Sequence, residues 1–288
     1  MLPIFVLSIA FLWIAGLVQA LPIGAKRQGG SLYGITYTGL NGDGSCQTPS
    51  QVLQSFRQFK QSGIMHVRTY SQECDVLPNA LAAIRQLGGG MTVMAAIWIE
   101  GSDRDDKEIA QLKSLLAKED SGPISGVLVG NEVVMKGILS PKQLAARIQQ
   151  VKAFVGGKCK VATAEAPLTF ADELVAVSDM VVLNVHPYYT PIPSDQAANN
   201  VIETIQAFRS KAHGKEVVAG EAGWPSAGKA NGPAVPSISN LAKFVKGMEG
   251  ASFRYYFFEA RDAAWKAAGA FGVETHYGLW TAQGESKI

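Results

Sequence analysis

Two glutamates stand out because each directly follows an apolar run of strand length. One run ends Val129-Gly130-Asn131-Glu132; the other ends Ala219-Gly220-Glu221-Ala222-Gly223-Trp224-Pro225. A pair of carboxyl groups across a cleft can cut a glycosidic bond. One protonates the departing oxygen, and the other attacks the anomeric carbon or activates water. A gap of about 5 Å favours direct attack with retention of configuration. Mutual repulsion would raise the pKa of one carboxyl and keep it protonated as the acid. Taken singly, either glutamate also fits a structural ion pair. The chemistry therefore depends on whether the fold brings the two together.

Short apolar, β-branched or aromatic runs at 33–39, 66–71, 92–99, 126–133, 160–167, 180–189, 217–225 and 253–260 read as eight strands. Several are continuously apolar, as parallel strands covered on both faces are. Helical stretches lie between them. Ser140-Pro141-Lys142-Gln143 joins a capping serine, a proline in the first turn and a glutamine three residues on. Thr48-Pro49 opens a helix over 51–61 in the same way. Residues 103–117 carry Ile109, Leu112, Leu115 and Leu116 on one helical face. Gly88-Gly89-Gly90 ends the helix before the third strand. The fifth and sixth strands leave room for only a brief helix over 171–177.

This alternation over about 250 residues predicts the α/β class and a single (β/α)8 TIM barrel. The competing arrangement is an open doubly wound sheet with a phosphate-cradling glycine turn. The stretch Gly39-Leu40-Asn41-Gly42-Asp43-Gly44 is glycine-rich but does not lead directly into a helix. In a barrel, the C-terminal strand ends build the site. Glu132 on strand four and Glu221 on strand seven would then face each other across its mouth.

A chain of 288 residues, 47% hydrophobic, is long enough to fill such a core. A net charge of +2, with no long run of one sign, argues against a nucleic-acid partner. Residues 1–20 read as a signal peptide ending Val18-Gln19-Ala20. A membrane anchor is the competing reading, but the apolar run is short for a span. Lys26-Arg27 marks either the end of a pro-peptide over 21–27 or a basic tail, which leaves 28–288 as the catalytic domain. The expectation is a secreted monomer, free of the membrane once the leader is removed. Secreted chains tend to pair their thiols. Cys46 follows the first strand and Cys74 the second, so Cys46–Cys74 is the expected disulfide. Cys159 is then left buried and unpaired. The cysteine spacings match no zinc pattern, and the expected chemistry needs neither metal nor cofactor.

The stretch Gly220-Glu221-Ala222-Gly223-Trp224-Pro225-Ser226 closely resembles the signature of glycoside hydrolase family 17. Leu128-Val129-Gly130-Asn131-Glu132 resembles that family's acid/base strand. Asp43-Gly44-Ser45-Cys46, Asn184-Val185-His186-Pro187-Tyr188 and Phe258-Glu259-Ala260 extend the likeness. So do Asp262 with Trp265-Lys266, and His276-Tyr277-Gly278-Leu279-Trp280. The likeness spans about 33–281 and is nearest the fungal cell-wall branch. It implies β-1,3-glucan as substrate, retention of configuration, Glu221 as nucleophile and Glu132 as acid/base. It implies that Asn131 bonds the sugar 2-hydroxyl. It also implies that Tyr37, Arg68 and Tyr70 shape the cleft, with Arg68 orienting the nucleophile region, and that Glu259 and Lys266 lie near the sugar subsites. Ala263 departs from the pattern, because many members carry an acidic residue there; Glu259 is placed to compensate. His186 reads either as a hydrogen-bond partner near Glu221 or as a buried structural histidine.

Rings at strand ends are the usual platforms for apolar sugar faces. Trp98, Tyr188, Tyr189, Trp224 and Phe258 are the candidates. Tyr188 and Trp224 are preferred, and Phe258 reads as core. Glu100 and Glu165 are spare carboxylates, read as cleft-lining or structural. Three functions remain open: an endo-hydrolase of β-1,3-glucan, a β-1,3-glucanosyltransferase, and a non-catalytic glucan-binding protein of the extracellular space or cell wall. Val133-Val134-Met135 and Tyr189-Thr190-Pro191 offer little stacking surface for an acceptor sugar, which favours the hydrolase. The presence of both glutamates weighs against the binding protein.

Overall fold

The structure, a computed structural model, describes residues 32–119 and 121–288. The expected leader over 1–20 and pro-peptide over 21–27 lie outside the described residues. Among the described residues, no helix is long and apolar enough to cross a membrane.

Eight strands follow chain order round a closed barrel: β1 (Gly34–Thr36), β2 (His66–Arg68), β3 (Thr92–Ile97), β4 (Ile124–Asn131), β5 (Lys160–Glu165), β6 (Val181–Val185), β7 (Val217–Ala222) and β8 (Tyr255–Phe257). Every neighbouring pair is parallel. Gly34 and Ile35 pair with Tyr256 and Phe257, which closes the ring and leaves no open edge. Among the described residues, seven α-helices pack outside: α1 (Pro49–Gln61), α2 (Val76–Gln86), α3 (Asp103–Lys118), α4 (Pro141–Val155), α5 (Asp172–Val177), α6 (Ser194–Phe208) and α7 (Ile238–Met248). The chain is thus the α/β, (β/α)8 barrel its periodicity predicts. Seven of the eight strands lie inside their predicted runs and are shorter, because the residues beyond them leave the ladder to build the site; β4 has its predicted length but starts and ends two residues earlier than its run over 126–133.

The helix starts follow their sequence signals. Thr48 accepts from the Gln51 amide, while Gln51 returns a bond to the Thr48 amide at 2.8 Å. Ser140 and Gln143 repeat the arrangement at the head of α4. Such caps satisfy amides that have no partner inside the helix.

The apolar core has two parts. One lies between strands and helices, as where Val52, Phe56 and Phe59 of α1 pack inward. The other fills the ring with Met94, Leu128, Met180, Val182, Val218 and Tyr256. A Cβ at Gly126 would stand 2.8 Å from Met94 Sδ, so glycine there admits the flexible methionine that plugs the interior. Register shifts fall between Leu128 and Asn131 on β4, between Leu183 and Asn184 on β6, and between Ala219 and Ala222 on β7. These irregularities sit at the C-terminal strand ends, where a bulge re-aims a side chain.

Cys46 and Cys74 form a disulfide with a Cα–Cα distance of 5.2 Å, tying the loop before α1 to the turn after β2. Cys159 is free and only partly buried, where full burial was expected. Its position just ahead of β5 leaves it on the rim of the core. The bridge spans 28 residues of sequence. Closing a loop of that size contributes about 3–4 kcal/mol on the chain-entropy model. Replacing both cysteines by alanine is therefore expected to lower Tm by roughly 10 °C, read by scanning calorimetry. An unchanged Tm would show that packing alone holds the two loops.

Candidate active site

The throat of the barrel holds a buried charge pair. Arg68, at the end of β2, is fully buried, and Glu221 on β7 is 4% exposed. Arg68 Nη1 lies 3.2 Å from Glu221 Oε1 and donates to Asn184 Oδ1 at 3.1 Å. Its Nη2 donates to Asn131 Oδ1 at 2.6 Å. The guanidinium fits because residue 220 is glycine. A Cβ there would stand 2.8 Å from Arg68 Nη1 and 2.5 Å from a Val182 methyl.

Two further groups hold Glu221. The Tyr70 hydroxyl donates to Oε1 at 3.0 Å, and His186 Nε2 lies 3.0 Å from Oε2. Burial pushes the Glu221 carboxyl up, but the His186 hydrogen bond, the Arg68 charge and Tyr70 together outweigh it and hold the pKa at about 2. His186 responds in the opposite sense. Burial lowers its pKa, yet the hydrogen bond and charge of Glu221, with the charges of Glu132 and Glu274, leave it raised. His186 is thus a partner of Glu221, which decides between its two sequence readings.

Glu132 follows β4 directly and has a left-handed backbone, φ 57°. For a residue with a Cβ this is a strained conformation that the surroundings must enforce. Its amide donates to the Ala164 carbonyl on β5 at 2.8 Å. Its carboxylate accepts from Asn184 Nδ2 at 3.1 Å and lies 3.5 Å from Lys136 Nζ. Asn184 Nδ2 also donates to Asn131 Oδ1 at 2.9 Å. A continuous polar chain therefore runs from Glu221 through Arg68 and Asn184 to Glu132. The side chain of Glu132 is 16% exposed against 5% for Glu221, so Glu221 is the more deeply set of two carboxylates that both line the cleft.

The cleft above has a volume of about 1270 Å³. Trp98, Met135, Tyr189, Phe258, Trp265 and Lys266 are among its lining residues, with Asn131, Glu132, Asn184, His186 and Glu221 at its base. Trp98 has Lys136 Nζ 5.5 Å from its ring centroid, and Arg104 at 6.0 Å. Lys266 Nζ lies 4.6 Å from the Phe258 ring and bonds both oxygens of Glu259, at 2.8 and 2.9 Å. Glu259 is itself buried and outside the cleft lining. Burial raises its carboxyl to about 7 despite the pull of Lys266.

Besides Arg68 and Glu259, three residues expected on the cleft lie behind it. Tyr37 is buried edge-on to Phe56 and Phe59, and its hydroxyl donates to Gln47. Tyr188 is fully buried and donates to the Lys229 carbonyl at 2.6 Å. Trp224 is fully buried, stacks on Phe244 and donates to the Val235 carbonyl at 3.2 Å. In each, a ring's polar tip finds a partner inside the protein, which makes burial affordable without a sugar. Phe258, read as core, lies on the cleft instead. Trp265, 40% exposed, and Tyr277 were not singled out as platforms, and neither stands at a regular strand end. Asn184 was quoted only as part of a motif; a polar residue inside an apolar strand was the signal it offered.

The barrel superimposes on a family 17 β-1,3-glucanosyltransferase from Rhizomucor miehei with a TM-score of 0.80 and 31% identity, covering 88% of this chain and 95% of that one. An active-site mutant of that enzyme, solved in complex with laminaritriose, matches equally well. An endo-laminarinase from Formosa, 19% identical with a TM-score of 0.74, shares the fold and covers 88% of this chain and 84% of its own. Among curated proteins, the probable β-glucosidase btgE of Aspergillus fumigatus is 34% identical over 256 residues, which is 86% of this chain and 45% of that protein. Its counterpart in Emericella nidulans is 32% identical over 271 residues, 90% of this chain and 48% of the relative. The chain thus spans just under half the length of these curated relatives. The BtgE/BtgC glycoside hydrolase domain model matches residues 34–278. With both glutamates at the mouth of a family 17 barrel, the chain belongs to the BtgE/BtgC glycoside hydrolase domain family.

Proposed function

We propose that this chain cleaves β-1,3-linked glucan by double displacement, with Glu221 as nucleophile and Glu132 as acid/base. The observation that carries this reading is the contrast between the two carboxylates. Glu221, at the base of the cleft, is nearly buried, ionised and oriented by Arg68, Tyr70 and His186, whereas Glu132 is more exposed. In the first step Glu221 attacks the anomeric carbon while Glu132 protonates the leaving oxygen. A glycosyl ester forms on Glu221, and the leaving chain departs. In the second step Glu132 takes a proton from water, which releases the sugar with retained configuration. Arg68 and Asn184 both donate to Asn131 Oδ1. That fixes the amide and leaves Nδ2 to donate to the sugar 2-hydroxyl, a bond that strengthens in the transition state. Trp98, Phe258 and Trp265 offer ring faces for the sugars on either side.

A second reading replaces water by a sugar acceptor in the second step. It is supported by the 31% identity to the Rhizomucor miehei glucanosyltransferase across nearly all of that chain. In either reading the protein acts as a monomer on extracellular or cell-wall glucan of a fungus, after secretion.

Linear β-1,3-gluco-oligosaccharides at high concentration separate the readings by product length. Shorter products alone are expected. Products longer than the substrate would assign transfer, and no turnover by folded protein would sink the enzymatic reading. Glu221→Ala is expected to lower kcat on the order of 10⁴–10⁶-fold. Glu132→Ala is expected to cost roughly 10²–10⁴-fold, with azide restoring turnover as a β-glycosyl azide. An α-azide product would overturn retention.

The depressed pKa of Glu221 fixes a sign. Its folded value of about 2 lies below the ordinary glutamate value of about 4.3. Its contribution to stability is complete above the unfolded pKa and is lost as pH falls from about 4.3 through about 2. His186→Phe removes the largest influence holding that pKa down, so the acid limb of kcat/KM should move to higher pH. A limb that stays in place between pH 2 and 5 would show that Arg68 and Tyr70 suffice.

A further inference from the structure

Glu165 is a carboxylate that the chemistry above does not use. It ends β5, next to the strand that carries Glu132, and is fully buried. It lies outside the cleft lining and has no cationic partner within ion-pair distance among the described residues. Its partners are instead donors from two loops. Oε1 accepts from the Val134 amide at 3.0 Å, and Oε2 accepts from the Met135 amide at 3.2 Å and from the Thr169 hydroxyl at 3.3 Å.

Those amides belong to the turn that begins at Glu132. Within it, Lys136 N donates to the Glu132 carbonyl at 2.9 Å, and Ile138 N donates to the Val133 carbonyl at 3.0 Å. The turn resembles a helix start, whose leading amides have no carbonyl partner of their own. A carboxylate that takes two of them forms charge-assisted bonds, stronger than neutral ones. Glu132 enters this turn with φ 57°, two residues after Gly130 at φ 84°. Strained backbone of this kind persists only when neighbouring groups over-determine it.

Strand β5 supplies that constraint on both sides of Glu132. The Ala164 carbonyl takes the Glu132 amide, and the Glu165 side chain takes the amides two and three residues further on. The side chains of Asn184 and Lys136 reach the Glu132 carboxylate but make no bond to the Glu132 backbone.

We propose that Glu165 is a positioning residue: it locks the turn after β4 so that the Glu132 carboxyl is aimed at the leaving oxygen. The proposal rests on the reading of Glu132 as acid/base. A displacement of about 1 Å in such a group can cost roughly 10²-fold in rate.

Leaving-group dependence separates positioning from plain structural support. A β-1,3-gluco-oligosaccharide needs its leaving oxygen protonated, whereas 2,4-dinitrophenyl β-laminaribioside expels a stable phenolate without help. For Glu165→Gln, kcat/KM on the oligosaccharide is expected to fall roughly 10²-fold. On the dinitrophenyl substrate it should stay within about twofold, because no proton transfer is required there. Equal losses on both substrates, or no loss on either, would overturn the proposal. If the glutamine variant does not fold, Glu165→Asp keeps the charge, withdraws the oxygens by one methylene, and is read the same way. A wild-type protein inert towards both substrates would instead overturn the underlying reading of the site, and this proposal with it.

Discussion

A guanidinium with no exposure to water sits in the throat of this barrel, and much of the site follows from what that charge requires. Isolated, a buried charge costs several kcal/mol; paired and hydrogen-bonded through both Nη atoms, it can be held. Arg68 is therefore surrounded by Glu221, Asn184 and Asn131, each within hydrogen-bonding or ion-pair distance. The small residue at position 220 belongs to the same requirement, because any side chain there would collide with the guanidinium. Arg68 also fixes the Asn131 amide, and through Asn184 it reaches Glu132. A residue that touches only one carboxylate thereby sets the relative placement of both.

The barrel divides its length between regularity and irregularity. Below, Met94, Leu128, Met180 and Val218 fill the ring with apolar atoms and need no partners. Above, β4, β6 and β7 shift register just where Asn131, Asn184 and Glu221 leave the ladder. The lower part, with one register shift at Val93/Met94 of β3, makes a rigid base, and the upper, more bulged part turns polar side chains towards one point. Strain at Glu132 belongs to the same division. A left-handed glutamate would relax in an isolated loop, but here β5 holds it from beneath.

What was legible in the sequence had a period or a fixed offset. The eight strands announced themselves as apolar runs, and Thr48-Pro49 and Ser140-Pro141 announced helix starts that the structure repeats bond for bond. Cys46 and Cys74 were legible because both follow neighbouring strands. Orientation at strand ends was not legible. Trp224 lies three residues from Glu221, yet it points under α7 while Glu221 points into the throat. Once the chain leaves a strand, alternation no longer says which way a ring faces. Tyr188 and Tyr189 divide in the same way, one fully buried and the next 43% exposed on the cleft. Trp265 lies in the irregular stretch after β8, where no periodic signal marks a side as inner or outer. Glu165 looked spare because its partners are backbone amides, which every sequence contains.

The two central glutamates are the same residue type, so environment alone must divide their labour. Double displacement requires one carboxylate that stays ionised throughout and another that gives up a proton and later takes one back. Glu221 meets the first requirement through Arg68 on one oxygen and His186 on the other, contacts that solvent barely reaches. Glu132 has Lys136, whose side chain is 39% exposed, as its ion-pair partner, so solvent screens that pair far more. In the proposed double displacement, whatever resolves the glycosyl ester approaches on the Glu132 side, where Met135 and Tyr189 are exposed along the cleft. The proposed mechanism thus puts the choice between water and sugar at the rim of the barrel, while the buried charges around Glu221 stay fixed in its throat.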